Sequence, residues 1–353
     1  MARSFVSKLA GALLAAGLSL AGSAHAALFS NMYVFGDSLS DVGNDLAITG
    51  GLVPDPAYYS NGAVTGRFVN GYNYADRLAS QLGLSLAPSV LGGNDYAYGG
   101  ARSTYARPDL AALGALSFQQ QVNQYLGNVG GVVDPNALYV LWIGANDMSD
   151  GFAQTLTKLA GTGVLDTSFI GNAAANALTT LFTEYATLQA LGARHFVIGN
   201  IPDLGLTPAV RDLAALFGNP AIMGLGTAAS QAFNNGLMAN LFAYTAPGTS
   251  TTVFDSYGLL HDMTANPAAY GLTNVTSGCY DGQPDGTPSP GASTVSECAN
   301  PDGYIYFDSE HPSARAHQIG GDLLYVQVVP EPAAMALSVT ALGLMGLTRR
   351  RRG

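Results

Sequence analysis

A hydroxyl works as a nucleophile only where a base takes its proton and donors meet the charge that develops. This chain holds candidates for each part. The hydroxyl is Ser38, in the run Phe35-Gly36-Asp37-Ser38-Leu39-Ser40-Asp41-Val42-Gly43-Asn44. Gly36 permits a tight backbone, and Asp37 suits a turn held by side-chain-to-backbone hydrogen bonds. Taken alone, the run is more often a helix N-cap, where Ser and Asp are favoured. The base must be a histidine. His195 stands where a strand begins, His261 follows an apolar run and reads as structural or surface, and His317 falls within a helical pattern. His311 differs: it lies in Phe307-Asp308-Ser309-Glu310-His311-Pro312-Ser313, a loop leading into the last helix. Asp308 precedes it by three residues, so one turn aims its carboxylate at the far imidazole nitrogen. That contact fixes the tautomer and stabilises the imidazolium.

Donors for an oxyanion, each worth about 3–4 kcal/mol, have two candidate sources. Tyr98-Gly99-Gly100-Ala101-Arg102 leaves backbone N–H groups accessible, and Gly144-Ala145-Asn146-Asp147 offers an amide side chain. A β-turn for the glycines and a cap for Asn146 are the better readings in isolation. Their joint placement changes the balance.

Each run follows a segment that reads as a buried strand. Met32 to Phe35, Leu138 to Ile143, Phe196 to Ile198 and Thr252 to Phe254 are short apolar β-rich runs, with a weaker strand expected from Asn94 to Tyr98. Helical patterns alternate with them at Tyr72 to Leu82, Leu116 to Tyr125, Ala173 to Leu191, Ala221 to Phe242 and Ala314 to Val326. Strands alternating with helices predict one α/β domain, a parallel sheet covered on both faces with its site at the carboxyl ends of the strands. Gly50 to Gly66 and the stretch Ser277 to Gly303 read as surface insertions.

Four blocks now stand together: Gly36 to Asn44, Asn94 to Ala101, Gly144 to Asp147, and Asp308 to Pro312. Over most of residues 27–329 the chain resembles the GDSL esterases and lipases of the SGNH hydrolase superfamily. The resemblance implies a three-layer α/β/α, flavodoxin-like fold. It implies Ser38 as nucleophile, His311 as general base and acid, and Asp308 as its orienter. The oxyanion hole would be the backbone N–H groups of Ser38 and Gly100 with the Asn146 side chain, Gly99 staying open in place of Gly100. No Gly-x-Ser-x-Gly surrounds Ser38, unlike ordinary α/β-hydrolases. The first block, with Asp308, His311, Pro312, Ser313 and His317, resembles the phospholipase/lecithinase/hemolysin-like branch.

Residues 1–26 read as a secretory signal peptide: Arg3 and Lys8, an apolar stretch from Leu9 to Leu20, then Ala24-His25-Ala26. Residues 330–353 carry Pro330-Glu331-Pro332, an apolar segment and the arginines 349–352. This tail resembles the PEP-CTERM sorting signal of Gram-negative bacteria, which implies an exosortase-type processing enzyme, transient membrane contact and delivery to the cell surface or beyond. Cys279 and Cys298 are the only cysteines. In an exported chain such a pair in a loop is expected to be a disulfide, worth about 3 kcal/mol.

The chain has 353 residues, 48% hydrophobic and 11% charged, which excludes wholesale disorder. Without the two end segments, eight basic groups face 23 acidic ones, a net charge of −15. That excludes a phosphate backbone as partner. The expectation is a secreted, monomeric serine ester hydrolase acting on an ester or lipid, with no metal and no cofactor. An acyltransferase or a surface-matrix binding protein is the alternative. Tyr58, Tyr59, Tyr72, Tyr74, Tyr96 and Tyr98 are candidates to line its cleft.

Overall fold

The computed structural model describes residues 28–329; the expected signal peptide at 1–26 and the expected sorting signal at 330–353 lie outside them. Four strands, β1 (Met32–Gly36), β2 (Leu138–Trp142), β3 (His195–Gly199) and β4 (Ser250–Phe254), form one parallel sheet in the order β1-β2-β3-β4. β2 is buried along its whole length, as expected of a strand covered on both faces. The helices are α1 (Asn44–Ile48), α2 (Tyr74–Leu82), α3 (Pro108–Ala111), α4 (Phe118–Asn128), α5 (Ala145–Thr162), α6 (Ser168–Ala190), α7 (Pro208–Leu216), α8 (Ala221–Tyr244), α9 (Ser256–Ala265) and α10 (Ala314–Val328). A small second sheet pairs β5 (Asn274–Gly278) with β6 (Tyr304–Tyr306) in parallel.

Alternation along the strands splits the core in two. Phe35, Tyr139, Leu141, Phe196 and Ile198 face one cluster with Val122, Tyr125, Phe152, Leu181 and Phe233 from α4, α5, α6 and α8. Met32, Val34, Leu138, Val140, Trp142 and Val197 face the other, with Tyr74 and Leu78 of α2 and Leu324 and Val328 of α10. Each such side chain stabilises the fold by about 1.5–3 kcal/mol when buried. The result is the three-layer α/β/α sandwich that the alternation predicts. Among the described residues, no helix is long and apolar enough to cross a membrane.

Two expectations change. The run from Asn94 to Tyr98 lies beside β1 as a parallel segment, with Val34 N–H on Asn94 O at 3.1 Å and Tyr96 N–H on Val34 O at 2.8 Å. Tyr98 N–H then donates to Gly36 O at 3.3 Å, but Gly36 N–H is taken by Gln121 Oε1 of α4 at 2.9 Å, and Gln121 Nε2 also donates to Gly36 O at 2.8 Å. A single bridge, Val34 to Asp95, remains in place of a fifth strand. Second, α5 starts in the Asn146 run, where Asn, Asp, Ser and Gly are poor interior helix formers. Sequence periodicity missed it.

Gln121 thereby satisfies both backbone groups of the residue two before Ser38. Gln121→Ala is expected to lower stability by about 3 kcal/mol, since it removes two hydrogen bonds and leaves a buried N–H unpaired. Urea unfolding checks this; an unchanged midpoint would refute it.

Candidate active site

Ser38 stands two residues beyond β1, at the carboxyl edge of the sheet. Gly36 allows this exit: a Cβ there would meet Trp142 O at 2.5 Å. The turn is held by Asp37, whose Oδ1 accepts Leu39 N–H at 3.1 Å, and whose carbonyl accepts Ser40 and Asp41 N–H, both at 3.0 Å. His311 comes from the other end of the chain, on the loop between β6 and α10. Its Nε2 lies 2.9 Å from Ser38 Oγ, and its Nδ1 donates to Asp308 Oδ2 at 2.6 Å. Asp308 and His311 are both buried. The structure thus brings Ser38, His311 and Asp308 into one hydrogen-bonded line.

Asp308 has further donors. Its Oδ1 accepts the N–H of Glu310 at 2.8 Å and of His311 at 2.7 Å. Tyr59 O–H donates to Oδ2 at 2.6 Å. Burial would raise this carboxyl, but the charge and hydrogen bond of His311, with the Tyr59 donation, hold it below the usual carboxylate range. Burial likewise pulls His311 down, yet the Asp308 carboxylate and its hydrogen bond outweigh that and lift the imidazole to about 9. Burial pushes Asp37 up to about 7, opposed only in part by the Leu39 N–H and the charge of His311.

The donor candidates sit at the same edge. Gly99 N–H is already committed to Asp41 Oδ2 at 3.2 Å. Among the described residues no acceptor takes the N–H of Ser38 or of Gly100. Gly100 has φ +69°, the left-handed region that suits glycine. Asn146 lies in the first turn of α5, and its Nδ2 donates to Ala101 O at 3.1 Å. That leaves a second amide hydrogen for another acceptor.

The remaining histidines stay apart from this line. His195 starts β3 at the opposite edge. His261 pairs with the buried Asp203 at 2.9 Å. His317 is buried in α10, accepts Tyr74 N–H at 3.2 Å on Nδ1, and is driven down to about 3 by burial and by His311. Cys279 and Cys298 form a disulfide.

The tyrosines proposed for a cleft are mostly packing. Tyr59, Tyr96 and Tyr98 are buried, and Tyr74 is buried with its hydroxyl 2.8 Å from Ser40 Oγ. Sequence reasoning offered Tyr59 only as a lining residue and missed its bond to Asp308: it sits in the supposed surface insertion 50–66, 249 residues away. No local pattern could have found it. An apolar cavity of about 60 Å³ adjoins the line. It is walled by Leu39, which follows Ser38, by Glu310 and Pro312 on either side of His311, and by Trp142, Phe254 and Met263.

A hydroxyl, an imidazole and a buried carboxylate meet at the carboxyl edge of a parallel sheet in an α/β fold, an arrangement suited to acyl transfer. The comparison with known proteins narrows the class. Residues 32–324 match the family described as GDSL-like Lipase/Acylhydrolase, and the chain belongs to it. A GDSL esterase/lipase of Arabidopsis thaliana is 28% identical over 331 residues, covering 83% of this chain and 85% of its own. Another from the same plant is 27% identical over 338 residues, covering 85% and 91%. Lipase 1 of Photorhabdus luminescens is 34% identical over 215 residues, 60% of this chain but 28% of its own length. The protein is an ester-hydrolysing enzyme of that family.

The lift of His311 carries a sign. Its folded value lies above the ordinary histidine value, so the pair contributes fully to stability below pH of about 6.5 and fades as pH rises through about 9. In Asp308→Asn the carboxylate is gone and burial remains, so the imidazole should titrate at or below about 6.5. Histidine NMR titration of the two proteins decides this; equal values would count against it.

Proposed function

We propose that the protein is an exported serine esterase working through an acyl-serine intermediate on Ser38. The observation that carries the reading is the line from Asp308 Oδ2 to His311 Nδ1 at 2.6 Å and from His311 Nε2 to Ser38 Oγ at 2.9 Å. In this reading, neutral His311 takes the Ser38 proton as Oγ attacks the ester carbonyl. Asp308 steadies the imidazolium that results. The free N–H groups of Ser38 and Gly100, with Asn146 Nδ2, receive the developing oxyanion. His311 then protonates the departing alcohol and activates the water that releases the acid. Because the base acts only when neutral, kcat/KM should rise with pH through the ionisation of His311.

Ser38→Ala is expected to abolish turnover of p-nitrophenyl butanoate while leaving the melting temperature nearly unchanged. Full activity in that variant would end the acyl-serine reading. Asn146→Ala should cost about 10²–10³ in kcat.

The apolar part of the substrate has a place in the cavity beside Leu39 and Pro312. Gly320 of α10 lies on its wall, with Phe254 3.4 Å from where a Cβ would stand. Gly320→Val should therefore lower the ratio of kcat/KM for hexanoate over acetate esters by about tenfold, the range set by a methylene or two in an apolar pocket. A ratio that does not move would place the chain elsewhere.

Export completes the proposal. Cleavage after Ala26 and recognition of the tail at Pro330-Glu331-Pro332 by an exosortase-type enzyme would deliver residues 27–329 to the cell surface or medium. The Cys279–Cys298 disulfide supports an oxidising destination. The branch likeness adds phospholipids to the ester panel worth assaying.

A further inference from the structure

We propose that Tyr59 is a positioning residue for the Asp308–His311 pair, and that the disulfide-closed loop from Cys279 to Cys298 holds it in place. The inference rests on the acyl-serine reading above. Tyr59 and His311 Nδ1 donate to the same oxygen, Asp308 Oδ2, both at 2.6 Å. Two donors on one oxygen share its charge. The phenol therefore limits how strongly Asp308 holds the imidazole proton, and it fixes the carboxylate plane against which the ring is aligned. Tyr59 stays a donor throughout the working range, since burial and the Asp308 charge drive its own ionisation far upward.

The phenol is held by aromatic packing from several segments. Its ring meets Phe307 edge-on at 5.1 Å, Tyr280 at 5.6 Å and Phe68 at 6.4 Å. Phe68 in turn lies 5.4 Å from the His311 ring. Tyr280 directly follows Cys279 and stacks on Phe307 at 5.7 Å. Backbone bonds register that loop against the strand leading to Asp308. Cys279 N–H donates to Tyr306 O at 3.2 Å, and Tyr280 N–H donates to Phe307 O at 2.6 Å. The loop also reaches the segment that carries Tyr59, through Asp55 N–H on Pro284 O at 2.7 Å and Tyr58 against Tyr280 at 4.6 Å.

The loop has little core of its own, with most of residues 281–297 exposed or half-buried. The cross-link closes its base, together with backbone bonds such as Cys298 N–H on Cys279 O at 2.7 Å and Asp281 N–H on Ser296 O at 3.1 Å. Breaking it frees Tyr280, and with Tyr280 the wall that presses Tyr59 onto Asp308.

Other titratable groups face the pair. Glu310 lies on the same loop, Asp37 in the turn after β1 with Asp147 of α5 behind it, His317 on α10, and Tyr280 on the disulfide loop. Tyr59→Phe alters none of them. Losing the phenol donor concentrates the Asp308 charge on His311, so the base should hold its proton to higher pH.

The test is the pH profile of kcat/KM for a p-nitrophenyl ester, measured on the whole protein. Its variants are Tyr59→Phe, the pair Cys279→Ser with Cys298→Ser, and all three changes together. Wild-type enzyme treated with a phosphine reductant reads the loop without any substitution. Expected in Tyr59→Phe are an acid limb about one unit higher, a fall of about tenfold in kcat at neutral pH, and an unchanged KM. Cysteine replacement and reduction should move the limb the same way, and the triple variant no further than the larger single effect. A Tyr59→Phe profile superimposed on wild type removes the positioning role. A normal limb in reduced enzyme removes the loop from the argument. Both results would leave the acyl-serine reading intact so long as Ser38→Ala is inactive. Full turnover in Ser38→Ala would remove the reading and the inference together.

Discussion

Keeping one fully buried carboxyl ionised is the constraint to which the rest of this site answers. A lone carboxylate in an apolar interior takes up a proton instead of keeping its charge. Asp308 avoids that by accepting from four groups: the N–H of Glu310, the N–H of His311, His311 Nδ1 and the Tyr59 hydroxyl. Two of these fix the local turn, so the Asp-x-x-His spacing is also the geometry that brings carboxylate and imidazole together. The loop is then pinned at both ends. Phe307 N–H donates to His311 O at 2.8 Å, and Ser313 N–H donates to Ile305 O at 2.7 Å. Removing one partner shifts more of the charge onto the donors that remain, above all onto His311.

Bringing this loop to a serine 273 residues away is the task of α10. Leu324 and Val328 pack into the same cluster as Tyr74 and Leu78 of α2, on the sheet face that also buries Leu39. The approach is close: a Cβ on Gly321 would stand 2.8 Å from Arg77 Cβ. Polar contacts set the register. Tyr74 N–H donates to His317 Nδ1 at 3.2 Å, and Arg77 pairs with Asp322 at 2.6 Å. The ion pair is solvent-exposed and adds little energy, whereas His317 is buried and neutral. α2 thus faces Ser40 through the Tyr74 hydroxyl and α10 through its backbone, linking the two ends of the chain.

What was legible in the sequence was what is local. Strands showed as short apolar runs, α6, α8 and α10 as long helical patterns, and Ser38, Asp308 and His311 as residues placed by adjacent elements. The packing of both insertions was hidden, because contacts such as Tyr59 to Asp308 leave no period or spacing behind them. Gln121 was hidden for the same reason; it reads as one polar residue in an amphipathic helix until Gly36 lies against it. The run Asn94 to Tyr98 had strand composition, but its ladder on β1 is interrupted where that side chain takes Gly36 N–H. α5 failed the other way, since tertiary packing of Met148 and Phe152 overrode the weak propensity of its first two turns.

The contrast between Asp308 and the acids behind Gly99 shows that donor count alone does not decide ionisation. Asp41 accepts N–H groups from Gly43, Asn44, Asp45 and Gly99, as many donors as Asp308 has. Burial nonetheless pushes it up to about 6. Its neighbours Asp45 and Asp95 are driven well above the carboxylate range by burial and by the Asp41 charge itself. Both carboxyl oxygens of Asp45 lack any partner, which a neutral acid tolerates and an anion would not. The difference is a cation. Asp308 has the His311 imidazolium at hydrogen-bond distance, whereas the Asp41 group feels Arg67 and Arg107 only as neighbouring charges, with a hydrogen bond to neither. The formal charge of −15 therefore overstates the field inside the molecule. An ionised cluster beneath the Gly99-Gly100 turn would repel an oxyanion forming above it. With Asp45 and Asp95 driven toward the neutral form, only the Asp41 charge, spread over its four N–H donors, stands beneath the proposed oxyanion.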